Sequence, residues 1–278
     1  MQTPAETIRI AVQGLLGDPA SGRLHKVISA PRWSARPLSK DPSRPIEGIV
    51  CATVWPTRAL NSDERWFDEI YVWTEGFRPS TTQRARIQST TLESAFQMLE
   101  REQVDRVGVT LSFGTVERFL DRLVESFESH ALVTHRMVVL MRGSVARLRS
   151  RYRLRAFIHY LRRLHIPIGY RVATPGITME LKAFDLVQPD FAQLHAPNSS
   201  RTEFWEDFAL EARVAGVGTE WMIIAGLESG QQLAMARQVG IRFGQGSAVR
   251  PAYAPITAAR RKTSVHGLQF GSGDQILD

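Results

Sequence analysis

A single cysteine, Cys51, stands among the 278 residues, so no internal disulfide can hold the chain. A reducing compartment is the expectation, with the cytoplasm its natural place. No window approaches the roughly twenty uninterrupted apolar residues that span a bilayer; the stretch around Met222–Gly226 is far too short. The first residues, MQTPAETIRIAVQGLLGDP, lack the basic start and small-residue cleavage site of a signal peptide. There is no glycine-rich phosphate loop of Walker or dinucleotide type, and GVGTEW (Gly216–Trp221) reads as a turn into a strand. The histidines show no ligand spacing on a helix: His159 and His165 lie six apart and do not share a face. No Ser-His-Asp set can be nominated. These absences argue against a membrane span, a disulfide scaffold and the common nucleotide-loop enzymes.

What is present is an ordinary globular composition, 43% hydrophobic, enough to build a core without staples. Lys and Arg outnumber Asp and Glu by 35 to 28, giving +7 and a pI near 10.0. That balance suits an acidic partner, but it is also an ordinary solubility feature.

Residues 4–16 have the spacing of a short amphipathic helix, ended by Gly17, Asp18 and Pro19. Ser29–Pro45, rich in Pro, Ser and basic residues, reads as an extended linker in which Trp33 is the residue to dock. From Ile46 the pattern changes. Strands are expected at Ile49–Val54, Glu69–Thr74, Val107–Ser112, Met137–Met141, Ile166–Tyr170, Phe191–His195, Trp221–Ala225 and Ile241–Gly246. Helical spacing fills the intervals at Thr91–Glu102, Phe119–Phe127, Ala146–Leu164, Leu181–Leu186, Trp205–Ala215 and Gln231–Val239. Repeated strand–helix units of this length specify a parallel α/β sheet, and their number suits a closed barrel. The organisation is therefore a helix and linker (1–45), a barrel (46–256) and an unstructured tail (257–278).

Ile223–Pro251, IIAGLESGQQLAMARQVGIRFGQGSAVRP, resembles the closing segment of EAL domains, bacterial cyclic di-GMP phosphodiesterases with a modified β/α barrel. Gly226, Glu228, Leu233, Gly240, Gln245, Gly246 and Pro251 fall in register with that family's pattern. Upstream, VTLS (Val109–Ser112), VVLMRGS (Val138–Ser144), LRRLHIPIGYRVATPG (Leu161–Gly176) and PDFAQLH (Pro189–His195) resemble its further motifs. The resemblance implies an EAL-type (β/α)8, TIM-like barrel over roughly Ile46 to Pro255. The E-A-L triplet itself maps onto Glu75-Gly76-Phe77 or, in another register, onto Val72-Trp73-Thr74. The interval from there to VTLS is short for the family and reads as a loop contraction.

The departures fall on the chemistry. In the family, carboxylates hold paired cations that activate water against a phosphodiester. Here Thr110 stands at an Asn position, Leu140 and Gly143 at Glu positions, and Arg171 and Val172 at paired Asp positions. Gln193 and His195 replace a Lys and an Asp, and Ala225 replaces a Glu. Leu140 cannot ligate a metal, and Arg171 brings a fixed positive charge where a dication belongs. The resemblance thus implies a degenerate member without phosphodiesterase activity, needing no metal or other cofactor. Such a protein signals through protein–protein contact, with cyclic di-GMP as a ligand it can retain.

For that ligand, Arg171, Glu228, Gln245 and Gly246 are the candidate binding residues, Arg171 pairing directly with phosphate. Glu228 reads more readily as a loop organiser, and Gln245-Gly246 equally as a tight turn leaving a strand. For a partner, the candidates are Arg147, Arg149, Arg151, Arg153 and Arg155. On the expected helix Arg147, Arg151 and Arg155 share one face, and Arg149 and Arg153 form a second row. A solvated outer face is the plain alternative. A nucleic-acid-associated protein using this stripe and Arg260–Lys262 is the other, and the less favoured.

Overall fold

The computed structural model describes residues 32–35, 49–62, 64–75, 79–172, 181–197, 199, 201–214, 217–253 and 268–270. The expected helix at 4–16 and the basic Arg260–Lys262 lie outside these. Strand β1 (Arg32–Ala35) falls inside the segment read as a linker and pairs antiparallel with β2 (Ile49–Ala59). β2 turns back into β3 (Arg65–Glu75), also antiparallel. A loop of so few residues cannot make a parallel crossover.

From β3 to β9 every connection is a crossover. Helix α1 (Thr81–Glu100) leads to β4 (Val107–Ser112), and α2 (Phe113–Ser129) to β5 (Met137–Arg142). Helix α3 (Arg151–Arg163) precedes β6 (Ile168–Arg171), and α4 (Leu181–Val187) precedes β7 (Phe191–His195). Helix α5 (Thr202–Val214) precedes β8 (Met222–Ala225), and α6 (Gly230–Gln238) precedes β9 (Phe243–Gly244). β3 to β9 run parallel in sequence order, and β9 closes on β2 through Arg58↔Gly244 and Ala59↔Phe243. The result is a closed eight-stranded α/β barrel whose first strand is antiparallel to the rest. Outside it, β10 (Leu268–Phe270) pairs with β1, so the segment read as an unstructured tail contributes a strand.

Two corrections concern helices. α1 begins at Thr81, ten residues before the expected start, because Ser80 and Gln83 form a reciprocal capping box. The interval before VTLS therefore holds a twenty-residue helix, of which only the second half, from Thr91, was expected. The expected helix from Ala146 begins only at Arg151: Val145–Arg147 is a separate 3-10 turn, and Leu148 and Ser150 are extended. Buried Val145 anchors that turn. Arg147 and Arg149 thus lie off the helix, and each of the two expected rows loses a member, leaving Arg151 and Arg155 in the first and Arg153 in the second.

The strand alternation divides the interior. Outward side chains such as Val109, Val139, Ile168 and Ile224 pack under the helices in the main core. Inward side chains at the strand starts, Phe67, Val138, Leu140, Phe191 and Ile223, form a second cluster with Trp66 and Phe243. This apolar plug fills the bottom of the barrel. Gly169 has no side chain because the Phe191 ring occupies that space, 2.3 Å from where a Cβ would stand. Above the plug, the inward positions turn polar.

Candidate functional site

The polar layer is centred on Glu69, an inward residue of β3 only 1% exposed. A buried carboxylate is costly unless hydrogen bonds and opposite charge compensate it. Here both do. Thr110 Oγ1 on β4 donates to Oε1 at 3.0 Å, and the Arg171 guanidinium on β6 pairs with the same oxygen. Gln193 Nε2 on β7 donates to Oε2 at 2.7 Å, and Gln245 Nε2 at 3.2 Å. Gln193 also donates to Gln245 Oε1 at 2.8 Å and accepts from Arg171 Nε, while Gln245 reaches Thr57 on β2. Three other strands and Gln245, just past β9, thus lock one carboxylate.

At the upper edge of this layer opens a cavity of about 310 Å³, lined among others by Tyr71, Trp73, Arg84, Thr110, Arg142 and Arg171. Tyr71 and Trp73 alternate inward on β3, their rings stacked 6.0 Å apart. The Arg171 guanidinium lies 5.3 Å from the Tyr71 ring centre, a cation–π contact. Arg142, the last residue of β5, is presented there because the next turn is pinned: Tyr170 Oη donates to the Gly143 carbonyl at 2.8 Å. Burial, with Arg171 and then Arg84 nearby, lowers the Arg142 pKa from its ordinary value. Three guanidiniums therefore share one recess, and only Arg171 among them pairs with a carboxylate of the described residues. His195 at the end of β7 has its pKa lowered by burial and by Arg171, against an opposing pull from Glu69.

The sequence candidates fare unequally. Arg171 and Gln245 meet in the network, and Gln245 is buried with its amide committed to protein partners. Gly246 has φ +143, and a Cβ there would stand 2.2 Å from the Leu227 carbonyl oxygen, so its glycine serves backbone packing. Glu228 is exposed; its backbone N–H is held by Gln232 Oε1, and its side chain does not join the cluster. Arg147, Arg149, Arg151 and Arg155 are exposed, whereas Arg153 pairs with Asp121 on α2 at 3.1 Å. Glu75 is the end of β3, and Gly76-Phe77 lie outside the described residues.

Sequence reasoning missed Glu69, Arg142, Arg84 and the Tyr71–Trp73 pair. One signal was available: in EIYVWT, Glu69 has the same parity as Tyr71 and Trp73, so an acid sits on the inward face of an otherwise apolar strand.

Divalent cations take cages of several oxygen donors. One carboxylate already accepting from four side chains, beside a guanidinium, does not fit that demand. Among the described residues no three His, Cys, Asp or Glu side chains come together, and no helix is long and apolar enough to cross a membrane.

No protein-family model and no curated protein matches the sequence. Solved structures do match in fold. The Vibrio cholerae LapD S helix-GGDEF-EAL structure is 16% identical over 73% of this chain, with a TM-score of 0.56. This chain spans about half of that protein, 53% of its length. The Xanthomonas citri FimX EAL domain in complex with cyclic di-GMP is 14% identical, covers 74% of this chain and 88% of its own, and has a TM-score of 0.54. The EAL domain of Mycobacterium smegmatis DcpA is 12% identical over 74% of this chain and 94% of its own, with a TM-score of 0.55. The architecture is an EAL-type β/α barrel.

Proposed function

We propose that this chain is a degenerate, non-catalytic EAL-type barrel that signals by binding, with cyclic di-GMP or a close phosphodiester relative as the ligand of its mouth. The observation that carries the reading is the Glu69–Arg171 pair. Where the family resemblance calls for metal-bound carboxylates, this chain has a carboxylate neutralised by its own arginine. Glu69-Ile70-Tyr71, in place of either triplet expected from the sequence, is then the counterpart of the family's E-A-L. It meets Thr110, Arg171 and Gln193, the positions that the resemblance assigns to the site.

The chemistry of the recess supports a ligand that combines phosphate and flat rings. Arg142 and Arg84 offer charge-assisted donors without a metal, and Tyr71 with Trp73 offers an aromatic wall. The LapD structure bound to cyclic di-GMP and the FimX complex give such a ligand a precedent on this fold. The output passes to a protein partner in the cytoplasm.

Calorimetric titration with cyclic di-GMP, in EDTA and in Mg²⁺, tests the reading. The expected result is equal affinity in both buffers and no linear product on prolonged incubation. Arg142→Ala should weaken binding by about tenfold or more, since a hydrogen bond to a charged group is worth roughly 1.5–3 kcal/mol. Turnover with Mg²⁺ or Mn²⁺ would overturn the non-catalytic assignment. Absence of heat at high concentration would overturn the ligand.

A further inference from the structure

Helix α1 borders two cavities with two different faces. Arg84, Ile87, Gln88 and Thr91 line the recess at the mouth. Arg86, Ser89, Thr90 and Glu93 repeat that spacing two residues further along, about 200° round the helix, and line a second cavity of about 320 Å³. Its other wall is α2, which contributes Phe119, Arg122 and Glu125. α2 leaves helical geometry at Phe119, with φ −124° and ψ 21°.

Contacts between the two helices hold the walls at both ends. Arg118 Nη1 donates to Thr82 Oγ1 at 3.2 Å, in the first turn of α1. Further along, Ser126 Oγ donates to Glu93, and Phe96 meets Phe127 edge-on at 5.3 Å. The His130 ring stacks on Phe96 at 4.4 Å.

Between those ends the polar chemistry is incomplete. Arg86 Nη1 and Ser89 Oγ, neighbours at i and i+3 on α1, are buried without a hydrogen-bond partner among the described residues. Native proteins seldom leave buried donors unmet, because the desolvation penalty then goes uncompensated. Arg122 brings a second guanidinium from α2, 5.7 Å from the Phe119 ring centre. Glu93 is already engaged by Ser126, and Glu125 is exposed, where water screens it. Two guanidiniums and a hydroxyl call for an oxyanion. A phosphomonoester matches them in charge, about −1.5 to −2, and in its three acceptor oxygens. A carboxylate would bring one charge and two oxygens.

We propose that this cavity is a second ligand site, separate from the mouth, and that it takes a phosphomonoester. The phosphate seats on Arg86, Ser89 and Arg122, and the esterified group lies against the Phe119 ring. The site stands whether or not cyclic di-GMP binds at the mouth, because the two cavities use different faces of α1.

Amide-shift titration of the full chain with AMP, inorganic phosphate and adenosine tests this. AMP and phosphate should shift the Arg86, Ser89, Arg122 and Ser126 amides saturably, and adenosine at the same concentrations should not. Arg86→Met keeps the apolar stem and removes the unmet donor. It should leave the thermal midpoint of the ligand-free chain unchanged or higher and weaken AMP about tenfold or more. Arg122→Gln, at an exposed position, should weaken AMP in the same direction without touching the fold. No shift at these amides with either phosphate probe overturns the proposal, as does AMP shifting only amides at the mouth, such as Thr110 and Arg171. Adenosine binding as well as AMP overturns the oxyanion site. An Arg86→Met chain with a lowered midpoint and native AMP affinity would make Arg86 a structural residue, with the same consequence.

Discussion

Glu69 carries a charge where charge is expensive, and its neighbours are best understood as the compensation. Removing one partner of a buried pair leaves the other uncompensated, at a cost of about 3–5 kcal/mol, whereas removing both charges together costs far less. Arg171→Ala should therefore lower the urea midpoint steeply, and Arg171→Met combined with Glu69→Gln should recover most of the loss. A small effect of Arg171→Ala would mean that water already solvates Glu69. His195 adds a pH dependence of known sign. Its folded pKa is lowered, by partial desolvation of a ring at the barrel rim and then by Arg171. As pH falls below the ordinary value of roughly 6.5, the unfolded imidazole takes a proton that the folded one resists. Stability should fall with acid through that window and be constant above it. His195→Asn should flatten this limb of a thermal-midpoint profile.

Among the elements, α1 supplies Arg84 to the recess from its first turn, so its start matters to the site. Ser80 Oγ accepts from the Gln83 N–H at 3.2 Å, and Gln83 Oε1 accepts from the Ser80 N–H at 2.8 Å. Ser80→Ala should cost about 1 kcal/mol and fray the turn that places Arg84. Hydrogen exchange of the first-turn amides should rise while amides near Leu99 keep their protection. This helix also shows what sequence alone could resolve. Its second half was legible because Leu92, Ala95, Phe96 and Leu99 repeat on one face. Its first half was not, because TTQRARIQST buries little beyond Ala85 and Ile87 and only the cap announces the start. The strand–helix alternation was legible for the same reason that the register was not. Apolar runs such as Met137–Met141 mark a strand plainly, but they give no parity. Which residues face inward became clear only from pairings such as Thr110↔Leu140 and Arg171↔Gln193. Arg171 could thus be nominated from its motif, while Glu69, in a strand placed correctly, was passed over for the strand's end.

At the scale of the whole molecule, the barrel depends on a short seam. β9 contributes two register pairs to its closure on β2, far fewer than β2 makes with β3. Tyr253 reinforces the seam from outside the strands. Its backbone exchanges two hydrogen bonds with Val54, at 2.7 and 3.0 Å, and its hydroxyl donates to fully buried Asp68, which Arg65 also holds. One residue therefore ties β2, β3 and the segment after β9 together. Its two contributions separate experimentally. Tyr253→Phe removes the donor to Asp68 and the acceptor for Arg65 Nη2 and should cost about 1–3 kcal/mol, with the Val54 amide still protected from exchange. Truncation after Pro251 removes the backbone bridge as well, together with β10, and should cost more, exposing the Val54 amide while leaving the β4–β5 amides protected. A closed sheet that opens first at its shortest seam gives that order of exchange. Simultaneous loss of protection at Val54 and across β4–β5 would instead mean that the barrel opens only by unfolding as a unit.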